Sequence, residues 1–576
     1  MYPLSRHPNP ASTFALVLAA VLIPTVILLP AATPVRAAAL TLTDATRSGP
    51  GLIIAGRDYP TIFSGTGDRR LRVTITTDAP AATARIRARI RIHESTSGEP
   101  SGKNTTTPPV AATRGQDLAL PVNLPQPGLY EITVELLDTA NATLATASTR
   151  VAAVPPRADI GPSDFGVCTH FAQSEAGRDP AMIPVLLDLA RLAGFSRIRD
   201  EMYWNSIEKK AGDFQFLPRH DAYVAAAAER GISPLIALGY GNKSVYPETF
   251  AESKGFPESD AAREAYARYA EACVRRYGTR IKHWEIWNEP HAKSFGAATR
   301  DGYVRLLKTV YPRIKKVTPD AHIISCGGGG AGGGPGGDYI SHIIKNGGLD
   351  SQDGFSIHPY MSPYPPERGY DAKNSPMPDG RVNIPTLSQH LSRLIGKNPK
   401  TDKKPLSLWI TEIGWFTTRN LPWAKPEPAQ AAALARMYLL ARRHRTAEAI
   451  FWYDLRDDGT KPDDKEHNFG LIRNDYSPKP AYVAAAVLTA TLGDRPWKTA
   501  LHETGLAHIH QYGEGGNAVI AGWTVYSPAS EVRHIKPAPG KYFLRDWQGH
   551  DKTVEIPATG YDWRLYPLPQ YLVRDQ

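Results

Sequence analysis

Between about residue 160 and residue 494 the chain repeats one rhythm: a short apolar run, a helix-period segment, then another apolar run. Short apolar runs bounded by turn residues read as strands buried on both faces, and strands alternating with helices build a parallel sheet. The runs lie at 164–171, 196–201, 233–241, 282–290, 321–327, 354–360, 406–415 and 449–455. Helical patterns fill the gaps, at 183–194, 221–231, 261–278, 429–444 and 480–492 among others. In the third of these, Tyr266, Ala270, Cys273, Val274 and Tyr277 fall on one face. Eight strands, each followed by a helix, fit a closed (β/α)8 barrel better than an open sheet.

The flanks read differently. Residues 40–155 alternate apolar and polar positions in LRVTITTD (71–78), ARIRARIRIH (84–93) and LYEITVELLD (129–138), with Gly, Pro, Ser and Thr clusters between them. That pattern predicts an N-terminal β-sandwich. VPPRADIGPSD (154–164) reads as a linker. After 496 the β pattern returns in NAVIAGWTVY (517–526), KYFLRDW (541–547) and KTVEI (552–556), predicting a small C-terminal β-sandwich. The expected division is 1–37, 38–157, 158–495 and 496–576. The first of these carries Arg6 and His7, an apolar run from 14 to 29, and small residues around Ala37. Basic, apolar, small is the order of a secretory signal, which predicts a secreted or periplasmic protein. An uncleaved anchor holding the protein to a membrane, facing outward, stays open, with Pro24 and Pro30 interrupting its run.

Composition narrows the classes. With 22% charged and 42% hydrophobic residues the chain is globular, and three cysteines in 576 residues exclude a disulfide-built scaffold. A net charge of +10 over this length does not call for nucleic acid. CGGGGAGGGPGGDY (326–339) lacks the Gly-Lys-Ser/Thr of a phosphate loop and reads as a loop after the fifth strand. Cys168, Cys273 and Cys326 have no metal-ligand spacing and read as core, and no cofactor or metal is called for.

Active residues of such a barrel sit at the C-terminal ends of its strands. Those ends offer His170, Arg199, Asn288 with Glu289, His358 with Tyr360, Glu412 and Trp452. Glu289 and Glu412 come from the fourth and seventh strands. Two carboxylates, one protonated and one ionised, are what cleavage of a glycosidic bond needs.

WEIWNEP (284–290) resembles the acid/base motif of the clan A glycoside hydrolases, and WITEIGW (409–415) resembles their nucleophile motif. FSIHPY (355–360) is similar to the His-x-Tyr of their sixth strand. FWYDLRDDG (451–459) and NFGLIRNDYSPKPAY (468–482) resemble glycoside hydrolase family 39 and related endoglycosidases of bacterial exopolysaccharide systems. The resemblance covers about 160–494 and leaves the N-terminal sandwich outside. It implies Glu289 as general acid/base, Glu412 as nucleophile, and Asn288 as a hydrogen-bond partner of the sugar 2-hydroxyl. It further implies Tyr360 orienting Glu412, His358 bridging the site, Arg199 below Glu412, and Trp452 as the floor under the sugar. His170, Trp204 and Trp415 are further candidates for the substrate cleft.

The expectation is therefore an exported retaining glycosidase acting on a polysaccharide or oligosaccharide. Internal cutting is expected from aromatics near strand ends: Trp204, Tyr240, Tyr360, Tyr364, Trp415, Trp423 and Trp452. The alternatives are an exo-acting β-glycosidase of the xylosidase kind, transglycosylation, and a non-catalytic saccharide-binding or matrix-assembly protein. The oligomeric state, sugar, linkage and anomer are not legible.

Overall fold

The computed structural model describes residues 39–44, 61–76, 84–94, 97–98, 100, 104–112, 117–157, 161, 163–173, 180–250, 254–326, 328, 337–371, 381–387, 389, 406–418, 425–526 and 531–575. The expected signal segment, most of the glycine-rich loop and Trp423 lie outside the described residues.

The eight expected strands close into a parallel barrel in chain order. Their observed bounds are Phe165–Cys168, Arg197–Tyr203, Ser233–Gly239, His283–Ile286, His322–Cys326, Gly354–Ile357, Ser407–Ile413 and Ala449–Trp452. The last pairs with the first, Val167 opposite Trp452, which closes the ring. Alternate side chains point to opposite faces of a strand. Cys168, Leu235, Ile324, Trp409, Ala449 and Phe451 fill the inside as one cluster. Val167, Ile198, Ile236, Ile286, Ile357, Ile410 and Trp452 point outward into the larger core shared with the helices.

The helices follow from their sequences. Asp260–Tyr277 starts at Ser259, whose hydroxyl accepts from the Ala262 amide, and ends at Gly278. Glu427–His444 and Pro480–Leu492 are buried nearly all round. A helix buried on every side has neighbours on every side. Here the barrel covers one face and a flanking sheet covers another: the first packs against Trp497–Thr504 and the second against Thr143–Val154.

The N-terminal region has a three-stranded and a six-stranded sheet. Leu120, Val122 and Leu124 from one share a core with Ile86, Ala88, Ile132 and Val134 from the other. The RIRARIRI alternation places isoleucines in that core and arginines outside. On the outer face Arg87 donates to Glu135 at 2.5 Å, and Arg91 donates to Glu131 at 2.5 Å. The C-terminal region pairs a six-stranded sheet with a two-stranded one around Ile509, Ile520, Tyr542, Trp563 and Leu572. Among the described residues no helix is long and apolar enough to cross a membrane.

Candidate active site

Two local departures from strand geometry aim the key side chains. In the seventh strand the pairing with the eighth shifts register between Ile410 and Ile413. A bulge of this kind breaks the two-residue alternation. Ile410 and Ile413 both join the outer core, while Thr411 and Glu412, between them, both make contacts at the site. After the fourth strand Trp287 and Glu289 take left-handed backbone angles, φ 70° and 44°. Non-glycine residues seldom do so, and such positions cluster where a side chain must be aimed. Trp287 turns into the core, and Glu289 reaches the site.

Arg199, on the second strand, is the hub. Its guanidinium donates from Nε to Glu285 Oε2 (2.7 Å), from Nη1 to Glu412 Oε1 (2.7 Å) and from Nη2 to Asn288 Oδ1 (2.8 Å). An arginine can only donate, so the Asn288 amide presents its oxygen to Arg199 and keeps its NH2 for another partner. The Tyr360 hydroxyl donates to Glu412 Oε2 at 2.9 Å. His358 Nδ1 lies 2.9 Å from Glu289 Oε1 and 3.5 Å from Glu412 Oε2. Its Nε2 meets the Thr411 hydroxyl at 2.9 Å. Oxygen atoms of the two carboxylates lie within 4.8 Å of each other.

The charges are set by this packing. Burial pulls His358 toward neutrality, but Glu412 and Glu289 outweigh it and raise its proton affinity. Burial alone would raise the Glu289 carboxyl. The hydrogen bond and charge of His358, with His291 and Arg199, bring it below the usual carboxylate range. Burial acts the same way on Glu285, where Arg199, His358 and Ser356 prevail and keep it ionised. His358 thus competes with Glu289 for a proton.

Of the sequence candidates, Glu289, Glu412, Asn288, Arg199, His358 and Tyr360 converge here. His170 lies on the first-strand loop, its ring 5.5 Å from Tyr453, which in turn lies 6.2 Å from Tyr360. Asp200 fixes that loop, accepting from the Thr169 hydroxyl and the Phe171 and Ala172 amides. His170 also lines a cavity of about 440 Å³ with Gln173, Arg219, Asp454, Asp458 and Lys461.

Three expectations are corrected. Trp452 is fully buried and stacks on Trp415, ring centroids 5.8 Å apart, so it is no sugar platform. Its place in the strand points it outward, whereas Tyr453 packs against the barrel interior and is half-buried at the site. Trp415 is buried and donates its indole N–H to the Tyr364 carbonyl at 2.8 Å. Trp204 is buried too, bonded to Glu208 and ringed by Tyr246, Phe250, Tyr266 and Tyr269. All three are core. The sequence reading missed Tyr453, and also Glu201, which stands two residues beyond Arg199 and accepts from Tyr203 and Tyr240. The two-residue period counted from Arg199 would have found Glu201.

Three groups of donors could hold a cation among the described residues. They are Glu289, His358 and Glu412; His170, Asp454 and Asp458; and Glu503, His508 and His510. The first is occupied by its own hydrogen bonds, and the last faces Arg443, whose charge opposes a cation.

The family model for cellulase, glycosyl hydrolase family 5, matches residues 163–452, half of the chain and the whole ring of strands. A family 39 glycoside hydrolase from the gut symbiont Bacteroides cellulosilyticus WH2 has a similar solved structure, 35% identical, TM-score 0.76, covering 89% of this chain and 99% of that one. This chain belongs to the clan A glycoside hydrolases. The family 5 model covers the barrel alone, whereas the likeness to the family 39 structure extends into the flanking sheets, beyond the range read from motifs. The hydrolase is also 27% identical over 136 residues to beta-glucosidase 6 of Oryza sativa subsp. japonica, a match spanning a quarter of that protein's length.

Proposed function

We propose that the glycosidase is a retaining enzyme in which Glu412 is nucleophile and Glu289 general acid/base. The observation that carries this is the close approach of the two carboxylates, one oxygen of each lying within 4.8 Å of the other. Double displacement needs carboxyl groups about 5–5.5 Å apart, inversion about 6.5–9.5 Å to admit a water. Arg199 and Tyr360 hold Glu412 from two sides, which supports an ionised, oriented nucleophile. Glu412 attacks the anomeric carbon as Glu289 gives its proton to the departing oxygen. Water, giving a proton back to Glu289, then hydrolyses the glycosyl ester. Asn288 donates to the 2-hydroxyl, and Tyr453 supplies the face on which the sugar rests.

The substrate is an oligosaccharide or polysaccharide, and the expected signal at 1–37 would bring the enzyme to it outside the cytoplasm. Internal cutting was expected from aromatic platforms, and Trp204, Trp415, Trp452 and Tyr240 lie in the core instead. That burial leaves only Tyr360 and Tyr364, among the described candidates, outside the core, too few for an extended cleft, and favours release of sugar from a chain end. Hydrolysis of a polysaccharide panel with product sizing decides: monomers or dimers from the first minutes support this, and long oligosaccharides restore internal cutting. Proton NMR of the first product tests the mechanism. A retained anomer is expected, and an inverted one removes the nucleophile role from Glu412.

A further inference from the structure

Glu285 lies wholly inside the barrel, one strand position below the site, and touches no space a sugar can reach. Its Oε2 accepts from Arg199, and its Oε1 accepts from Ser356 at 2.5 Å and from Thr411 at 2.8 Å. An ionised carboxylate can only accept, so the one Thr411 proton points at Glu285. Toward His358, 2.9 Å away, Thr411 then offers a lone pair. His358 must carry a proton on Nε2 to meet it.

From this chain, resting on the roles proposed above, we infer that Thr411, held by Glu285, is a positioning residue fixing the His358 tautomer. Neutral His358 keeps its proton on Nε2 and turns a bare Nδ1 toward Glu289. The Nδ1···Oε1 contact, 2.9 Å long, then holds one mobile proton, on Glu289 or on His358. The charged groups that face the imidazole are Glu289, Glu412, Arg199 and Glu285, while His291 acts on Glu289.

The device serves both steps. In the first, the C–O bond to the leaving group breaks, the Glu412–carbon bond forms, and the mobile proton passes from Glu289 to the departing oxygen. Formation of the ester removes the Glu412 charge 3.5 Å from Nδ1, so His358 no longer gains by binding a second proton. Glu289 is left ionised opposite a lone pair, which makes it a stronger base. In the second step water loses a proton to Glu289, its oxygen bonds the anomeric carbon, and the ester bond breaks. The pair regains its one proton.

Thr411→Val removes the hydroxyl at nearly constant volume and frees His358 to place its neutral proton on Nδ1. That tautomer stabilises Glu289 as carboxylate. The test uses 2,4-dinitrophenyl and phenyl β-glycosides of glucose, galactose, xylose and mannose. In Thr411→Val the basic limb of kcat/KM for the phenyl glycoside should move down by about one pH unit, with about a fivefold loss at its old midpoint. The dinitrophenyl glycoside, which needs no proton to leave, should keep its kcat/KM. Thr411→Ser should restore both. An unmoved basic limb, or equal loss for the two leaving groups, would overturn the proposal. Nitrogen NMR of 15N-histidine protein reads the tautomer without substrate, so it still applies if no glycoside is turned over and the proposed activity itself fails. It should show an unprotonated Nδ1 in neutral wild-type His358 and a protonated one in Thr411→Val. A proton on Nδ1 in neutral wild-type protein would refute the inference.

Discussion

At the scale of single residues, Arg199 and Tyr453 carry the most information. Arg199 makes three charge-assisted contacts from one planar fork, and lysine has no fork. Arg199→Lys should therefore lose turnover and also cost about 3–5 kcal/mol of stability, since it leaves buried acids without their partner. Thermal melting and kcat together check this. A variant that melts like wild type would mean the acids find another donor. Glu289→Gln should lower kcat by about 10²–10⁴-fold while leaving the melting point close to wild type. Azide added to Glu412→Ala should restore part of the lost rate. Tyr453→Ala and Trp452→Ala separate floor from core. The first should raise KM and lower kcat at little cost in stability. The second should cost about 3–5 kcal/mol through the cavity it leaves behind the strand.

At the scale of elements, the bulge in the seventh strand explains what was legible. Every barrel strand was visible as an apolar run, because both faces of a parallel strand are buried. The two carboxylates were visible because their motifs carry Asn288 and Gly414 at fixed spacing. The choice between Trp452 and Tyr453 was not visible, since a run of FWYDL gives no sign of which residue faces inward. Only the closed ring, with Ala449 and Phe451 inside, settles it. Nor does the sequence show that Thr411 and Glu412 share a side, for a bulge leaves no trace in composition. The helix Glu427–His444 offers a test of its own. Glu427 at its first turn bonds Arg150 of the N-terminal sheet and Arg473 of the barrel. Burial would raise this carboxyl, but Arg473, Arg150 and Lys479 drive it down to about 2, from an ordinary 4.5. A depressed acid contributes stability above its unfolded value and loses it as pH falls through the folded one. The contribution, up to about 3 kcal/mol, should be whole above pH 4.5 and disappear toward pH 2. Acid unfolding of Glu427→Gln should show a lower starting stability and a shallower decline across that window.

At the scale of the whole molecule, the barrel is joined to two sandwiches by specific contacts. On the C-terminal side Arg443 meets Glu503 and His510, while His508 and His510 stack on Trp523 with centroids 5.2 and 5.1 Å away. Burial, aided by Arg443, lowers His510 to about 3 and His444 to about 4, against an ordinary 6.5. Both are held neutral, so their stabilising packing is complete above pH 6.5 and erodes as pH falls toward 4. Trp523 fluorescence and proteolysis of the C-terminal sheets should report loosening in that interval, and His510→Asn should reduce it. Gln548, between two strands of the C-terminal sheets, ties the two sandwiches to each other. Its Oε1 accepts from the Leu129 amide at 2.9 Å, and its Nε2 donates to the His93 carbonyl at 2.7 Å. A chain made from its N-terminus exposes those two backbone groups more than four hundred residues before their partner exists. The first sandwich must wait, incomplete, through synthesis of the entire catalytic barrel. Folding order and chain order therefore run against each other here, and ribosome-bound or stalled fragments ending short of 548 are where chaperone dependence should be greatest.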